Sequence, residues 1–163
     1  MDHAYLIAED DENTQLLILR AYKMLDLVFP VHFVNNGQEA IDYLEGEGGY
    51  SDRQRFPLPA LTISDLKMPR MNGLEALQWI RQSKFREMVV VMFSGSDMDS
   101  DVHNAYRAGV NSFVHKPVSF TELMQTLSSI HHYWFGCNFF PINGIAGSGQ
   151  RRNTGLKVIR ERT

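Results

Sequence analysis

Five times along this chain a short apolar run gives way to a stretch in which apolar residues return every three or four positions. The runs are residues 5–8, 31–34, 58–64, 88–93 and 112–115; the stretches are residues 12–27, 38–45, 74–83, 98–108 and 120–135. The two periodicities belong to different backbones, so the pattern reads as five strand–helix units. Residues 88–93 are apolar at every position, as suits a strand covered on both faces in a parallel sheet. The expected class is therefore α/β: a (βα)5, doubly wound, five-stranded parallel sheet with helices on both faces. Asp97 and Ser119 stand where they can cap the fourth and fifth helices. The first helix carries apolar residues at Leu16, Leu17, Leu19, Ala21, Met24 and Leu25.

In an open parallel sheet, ligands bind outside the carboxyl ends of the strands. The chemically capable residues of this sequence fall there. The first run ends in Glu9-Asp10-Asp11, the third in Asp65, the fourth in Ser94 and the fifth in Lys116. Carboxylates gathered in one crevice raise each other's proton affinity unless a cation intervenes. Hard oxygen ligands of this kind suit Mg²⁺. Lys116 offers a fixed positive charge to Asp65 or to a phosphoryl oxygen, and Ser94 offers a hydroxyl donor. A carboxylate nucleophile so equipped can form an aspartyl phosphate.

Asp65-Leu66-Lys67-Met68-Pro69-Arg70-Met71-Asn72-Gly73 resembles the phosphoacceptor loop of response-regulator receiver domains. The resemblance extends to Glu9-Asp10, Ser94-Gly95 and Lys116-Pro117, in order, over about residues 4–135. It implies the flavodoxin-like receiver fold, Asp65 as phosphoacceptor, and a Mg²⁺ or Mn²⁺ site on Glu9, Asp10, Asp65 and the Lys67 backbone carbonyl. It further implies Lys116 as the phosphoryl partner, Ser94 and Phe113 as switch residues, and a cis Lys116–Pro117 peptide. Ser94 stands where threonine is commoner, and Phe113 lacks a phenolic hydroxyl. By the same resemblance Lys67 and Ser96, two residues past the acceptor and the switch hydroxyl, are expected to shape water access.

The implied function is that of a two-component regulator: a phosphoryl group passes from a sensor histidine kinase to Asp65 and changes a protein-interaction surface. The chain would be a stoichiometric acceptor rather than a turnover enzyme, since aspartate phosphohydrolases place an acid where Lys67 stands. A receiver-like scaffold that works without phosphorylation is the alternative, and filled chemical positions argue against it. A nucleotide-binding fold would need a glycine-rich turn after the first strand, where this chain has four acids. The long polar loop at 46–57 and the tryptophan-bearing last helix resemble the small regulators paired with bacteriophytochrome kinases. That similarity implies a homodimer through the helix 4–strand 5–helix 5 face.

Composition bounds the rest. Residues 1–135, the expected receiver domain, carry 11 Lys/Arg against 18 Asp/Glu; residues 136–163, a C-terminal extension, carry 5 against 1. An acidic body with a short basic tail does not suit direct nucleic-acid binding, and the polar, glycine-rich tail reads as partly disordered. No apolar run is long enough for a membrane span. The single cysteine, Cys137, suits a reducing cytoplasm. The six histidines read as structural or surface residues, with His131 and His132 adjacent and so divergent on a helix.

Overall fold

The structure is a computed structural model, and it describes residues 4–138. The five apolar runs become the strands β1 (Tyr5–Ala8), β2 (Val31–Val34), β3 (Leu61–Ser64), β4 (Val89–Ser94) and β5 (Ser112–His115). Between and after them lie α1 (Glu12–Met24), α2 (Gly37–Glu45), α3 (Gly73–Gln82), α4 (Asp99–Arg107) and α5 (Phe120–His131). All strand pairs are parallel, in the order β2-β1-β3-β4-β5.

Alternation along each strand divides the apolar residues between two cores. Tyr5, Ile7, Leu61, Ile63, Val89, Val91 and Phe93 face α1 and α5, where they meet Ile18, Ala21, Tyr22, Leu123, Leu127 and Ile130. Leu6, Ala8, Val34, Val90 and Met92 face α2, α3 and α4, and meet Ala40, Leu44, Leu77, Ile80 and Ala105. Strands buried on both faces thus account for the uninterrupted apolar run at 88–93.

The helix starts follow the side chains available. Asp11 caps α1 by accepting from the Thr14 N–H, Asn36 caps α2, and Asn72 with Glu75 forms a reciprocal capping box on α3. Ser119 caps α5, as expected. Asp97 does not cap α4: Met98 occupies the cap position, without any side-chain hydrogen bond.

Two other expectations change. Leu16, Leu17 and Met24 are exposed on α1, and Ile18 and Tyr22 are buried beside the expected Ala21. Every peptide bond among the described residues is trans, including Lys116–Pro117; the trans form is the lower-energy isomer of an X-Pro bond, and the strand hydrogen bond from Lys116 is made without a cis turn. The 46–57 loop is ordered by Arg53, whose guanidinium donates to the carbonyls of Tyr43 (2.8 Å) and Leu44 (2.6 Å) at the end of α2. Tyr43 in turn donates its hydroxyl to the Pro57 carbonyl.

The last helix continues as a π-helical turn, His132–Cys137, which buries Trp134. His131, for which the sequence offers no partner, pairs through Nδ1 with the Tyr5 hydroxyl at 2.5 Å. His32 packs on the rings of Tyr43 and Phe56. The basic tail and the apolar stretch at 139–142 lie outside the described residues.

Candidate functional site

Strand register assembles the site. Ala8 pairs with Ser64, so Glu9 and Asp65, each the next residue, leave adjacent strands side by side. The Asp65 N–H donates to the Ala8 carbonyl at 2.8 Å, extending the ladder one step into the site. On the other side Ser94 pairs with His115, and the Lys116 N–H donates to the Ser94 carbonyl at 2.8 Å. Four separate segments thereby bring Glu9, Asp65, Ser94 and Lys116 to one edge of the sheet.

The Asp65 carboxylate is fixed at both ends. Its Oδ1 accepts from the Leu66 N–H at 2.6 Å, and its Oδ2 accepts from Lys116 Nζ at 2.5 Å. The same ammonium donates to Glu9 Oε2 at 2.5 Å. Lys116 therefore stands between two carboxylates, one of them, Glu9, only 2% exposed. Burial alone would lower the lysine's proton affinity, but its hydrogen bonds to Asp65 and Glu9 outweigh this and hold it above the ordinary range. For Glu9 the balance tips the other way: burial raises its carboxyl above the usual value in spite of Lys116.

Glu9, Asp10 and Asp65 each offer a carboxylate oxygen, and these oxygens lie within 4.8 Å of one another. Glu9 is buried, Asp65 half-buried and Asp10 exposed, so the cluster opens toward solvent. Three hard anionic donors with an open side fit a divalent cation that keeps part of its water shell. Asp11, the remaining acid of the group, is committed to its helix: the bonds to Thr14 hold its carboxyl below the usual range.

A cleft of about 450 Å³ lies over Asp65. Lys67, Ser94, Gly95, Ser96, Asp97, Met98 and Lys116 wall it. Lys67 is exposed in the loop after Asp65. The Ser94 hydroxyl is buried and accepts from the Ser96 N–H at 3.2 Å. Phe113 does not line the cleft. It lies half-buried against the core on the α4 side of the sheet, opposite Met92 in the strand register.

The acceptor loop is set by one close approach. A Cβ on Gly73 would lie 2.0 Å from the Asp65 carbonyl oxygen and 2.9 Å from Ser64 Oγ. No side chain fits there, and the Gly73 N–H closes the loop onto the Leu66 carbonyl at 3.0 Å. Three partners were not apparent from the sequence. They are the contact of Ser96 with Asp101 Oδ2 (2.5 Å), Tyr106, whose hydroxyl accepts from the Phe113 N–H (3.3 Å), and Glu9 as a direct partner of Lys116. Only the acid beside Asp10 carried a signal; contacts across an intervening helix or sheet edge leave none.

Comparison with known proteins places this geometry. The family described as response regulator receiver domain matches residues 5–128. The probable methanogenesis regulatory protein FilR2 of Methanothrix harundinacea is 36% identical over 138 residues, 83% of this chain and 86% of that one. The phosphorylated cyanobacterial phytochrome response regulator RcpA superposes with a TM-score of 0.79 at 27% identity, covering 86% of this chain and 99% of that structure. The bacteriophytochrome response regulator RtBRR gives a TM-score of 0.70 at 37% identity, over 88% of this chain and 84% of its own. Family match, sequence identity and superposition agree, and the chain belongs to the response regulator receiver domain family of two-component signalling.

Proposed function

We propose that Asp65 accepts a phosphoryl group from the phosphohistidine of a sensor kinase, and that the resulting aspartyl phosphate changes a protein-docking surface. The observation that carries this reading is Lys116 Nζ at 2.5 Å from both Asp65 and Glu9. A cation already held at the acceptor can follow charge onto a phosphoryl oxygen as the P–N bond breaks and the P–O bond forms. Asp65, restrained through both oxygens, needs little reorganisation before an in-line attack.

Glu9, Asp10, Asp65 and the Lys67 backbone carbonyl would hold Mg²⁺ or Mn²⁺. Such an ion supplies neutralisation of equatorial charge and alignment of the donor. Ser94 donates its hydroxyl to the phosphoryl group, and Phe113 follows in the space behind it. Lys67 stands where a phosphohydrolase would need a general acid, so the chain acts once per phosphoryl group rather than turning over.

Residues 1–135 act as the receiver and 136–163 as an appended segment. The sensor is a histidine kinase, and the likeness to phytochrome-associated regulators supports a bacteriophytochrome as that sensor. The responding surface is the α4–β5–α5 face, where Met98, Tyr106 and Val118 are exposed; a second copy is the partner proposed for it. We assign no nucleic-acid contact and a cytoplasmic site of action; among the described residues no helix is long and apolar enough to cross a membrane.

The test is incubation with acetyl phosphate and Mg²⁺, read by intact mass. Wild type should gain one phosphoryl group and Asp65→Asn none. Equal labelling of the two proteins would remove Asp65 from the role. An unlabelled wild type would favour a scaffold that works without phosphorylation.

A further inference from the structure

The β4–α4 loop holds a polar connection that the phosphoacceptor site does not require. Ser96 takes part in it three times, once by accepting from the Met98 N–H at 3.5 Å. Its backbone N–H donates to Ser94 Oγ at 3.2 Å, and its own hydroxyl contacts Asp101 Oδ2 at 2.5 Å, inside the first turn of α4. Because a carboxylate only accepts, Ser96 is the donor in the bond to Asp101.

We propose that Ser96 and Asp101 are positioning residues that carry the state of Asp65 into α4 through this linkage. The inference rests on Asp65 being the phosphoacceptor. Three features of the structure support it.

First, α4 is weakly anchored. Ala105 is its single buried residue, its N-terminus has no side-chain cap, and Asp99 is exposed. The polar ties that hold it are the Ser96–Asp101 bond near its start and, farther along, the Tyr106 hydroxyl on the Phe113 N–H at 3.3 Å. A helix with so little apolar burial is displaced at low free-energy cost.

Second, Ser94 is poised between two claims on its hydroxyl. The hydroxyl accepts from Ser96, and a hydroxyl that accepts still has its proton to donate. A phosphoryl group on Asp65 enters the cleft that Ser94, Gly95 and Ser96 wall, and draws that proton inward. The Ser96 N–H follows the oxygen it is bonded to, and the Ser96 hydroxyl then pulls on Asp101.

Third, the joint between the two serines has room to move. That joint, Gly95, is exposed, and a Cβ built on it meets no atom within 4 Å.

The experiment is backbone-amide NMR of the full chain before and after labelling with acetyl phosphate and Mg²⁺, with intact mass measured on the same samples. In wild type, phosphorylation should shift the amides of residues 99–107. Asp101→Ala should label as fully as wild type; in it and in Ser96→Ala the shift, scaled to the labelled fraction given by the mass, should be less than half that of wild type. Ser96→Thr keeps the hydroxyl and Asp101→Asn keeps an acceptor, so both should retain more than half. The double alanine variant should lose no more than either single one. An undiminished scaled α4 response in the Ser96→Ala or Asp101→Ala protein overturns the linkage, as does a labelled wild type whose α4 amides do not move. A wild type that takes no label overturns the assignment of Asp65, a failure seen in the mass and not in α4. Amides of residues 4–94 report whether each variant has folded.

Discussion

Replacing Lys116 with methionine removes the one cation that separates Glu9 from Asp65 and keeps a side chain of similar length. At 2.5 Å and an effective dielectric of about 20, each of its contacts supplies roughly 6–7 kcal/mol of gross attraction, most of which offsets the cost of taking the charges out of water. What the variant loses is set by what remains. Glu9, 2% exposed, is left as a buried carboxylate without a cation, its remaining bond the one from the Asp11 N–H at 3.2 Å. Breaking a fully buried pair costs about 3–5 kcal/mol. The Lys116 side chain keeps 20% of its exposure and that of Asp65 12%, which moves the expected loss to about 2–4 kcal/mol. Urea unfolding at pH 7, followed by circular dichroism in EDTA, measures it. Repeating the titration with excess Mg²⁺ should narrow the gap between variant and wild type by more than half, since the ion satisfies the same carboxylates; saturation at about 100 Kd adds roughly 2.7 kcal/mol by linkage alone. A gap under about 0.5 kcal/mol in EDTA would show that Lys116 does not hold Glu9 in place. A gap that metal leaves unchanged would show that the carboxylates do not share the ion.

The division of α1 into buried and exposed apolar residues gives a second expectation: Ile18→Ala should cost about 2–4 kcal/mol, while Leu16→Ala stays within about 0.5 kcal/mol, measured by the same unfolding curves. Gly73→Ala places a methyl group against the Asp65 carbonyl; a loss of about 1–3 kcal/mol together with slower labelling by acetyl phosphate is expected, and an unchanged protein would contradict the packing described. Burial, and then the neighbouring His132, holds His131 below the usual imidazole value of 6.5. The unfolded chain thus binds the proton more readily, so this contribution to stability is complete above pH 6.5 and declines as the pH falls from there toward the lower folded-state value. His131→Gln should flatten the dependence of the unfolding midpoint between pH 7 and 5; His32, lowered by burial, keeps part of the slope, and identical slopes for the two proteins would refute the role of His131.

How far the sequence reveals such features depends on their range. The strand–helix alternation and the residues closing each strand are local patterns, and register alone turns them into a site. The buried face of α1 was not legible because Leu16, Leu17, Ile18, Leu19, Ala21 and Tyr22 make nearly every position apolar, so no stripe about 100° wide stands out. Asp97 offered a cap, yet Met98 takes that position without a side-chain bond, and the Ser96–Asp101 contact spans the helix start. Arg53 on the α2 carbonyls and Tyr5 against His131 depend on three-dimensional proximity, the latter across 126 positions.

The packing of α5 against α1 has a consequence for how the protein is made. On a ribosome the first strand and first helix emerge early, yet Tyr5, Ile18, Ala21 and Tyr22 find their cover in Leu123, Leu127, Ile130 and Trp134, which emerge more than 90 residues later. The other face can assemble sooner: β1, β2 and β3 lie within the first 64 residues, and α2 follows directly on β2. Nascent chains therefore pass through a half-covered stage with one apolar side facing solvent, the kind of surface that chaperones bind. A chain stalled before Phe120 should be captured and degraded, while one released after Trp134 closes its own first strand.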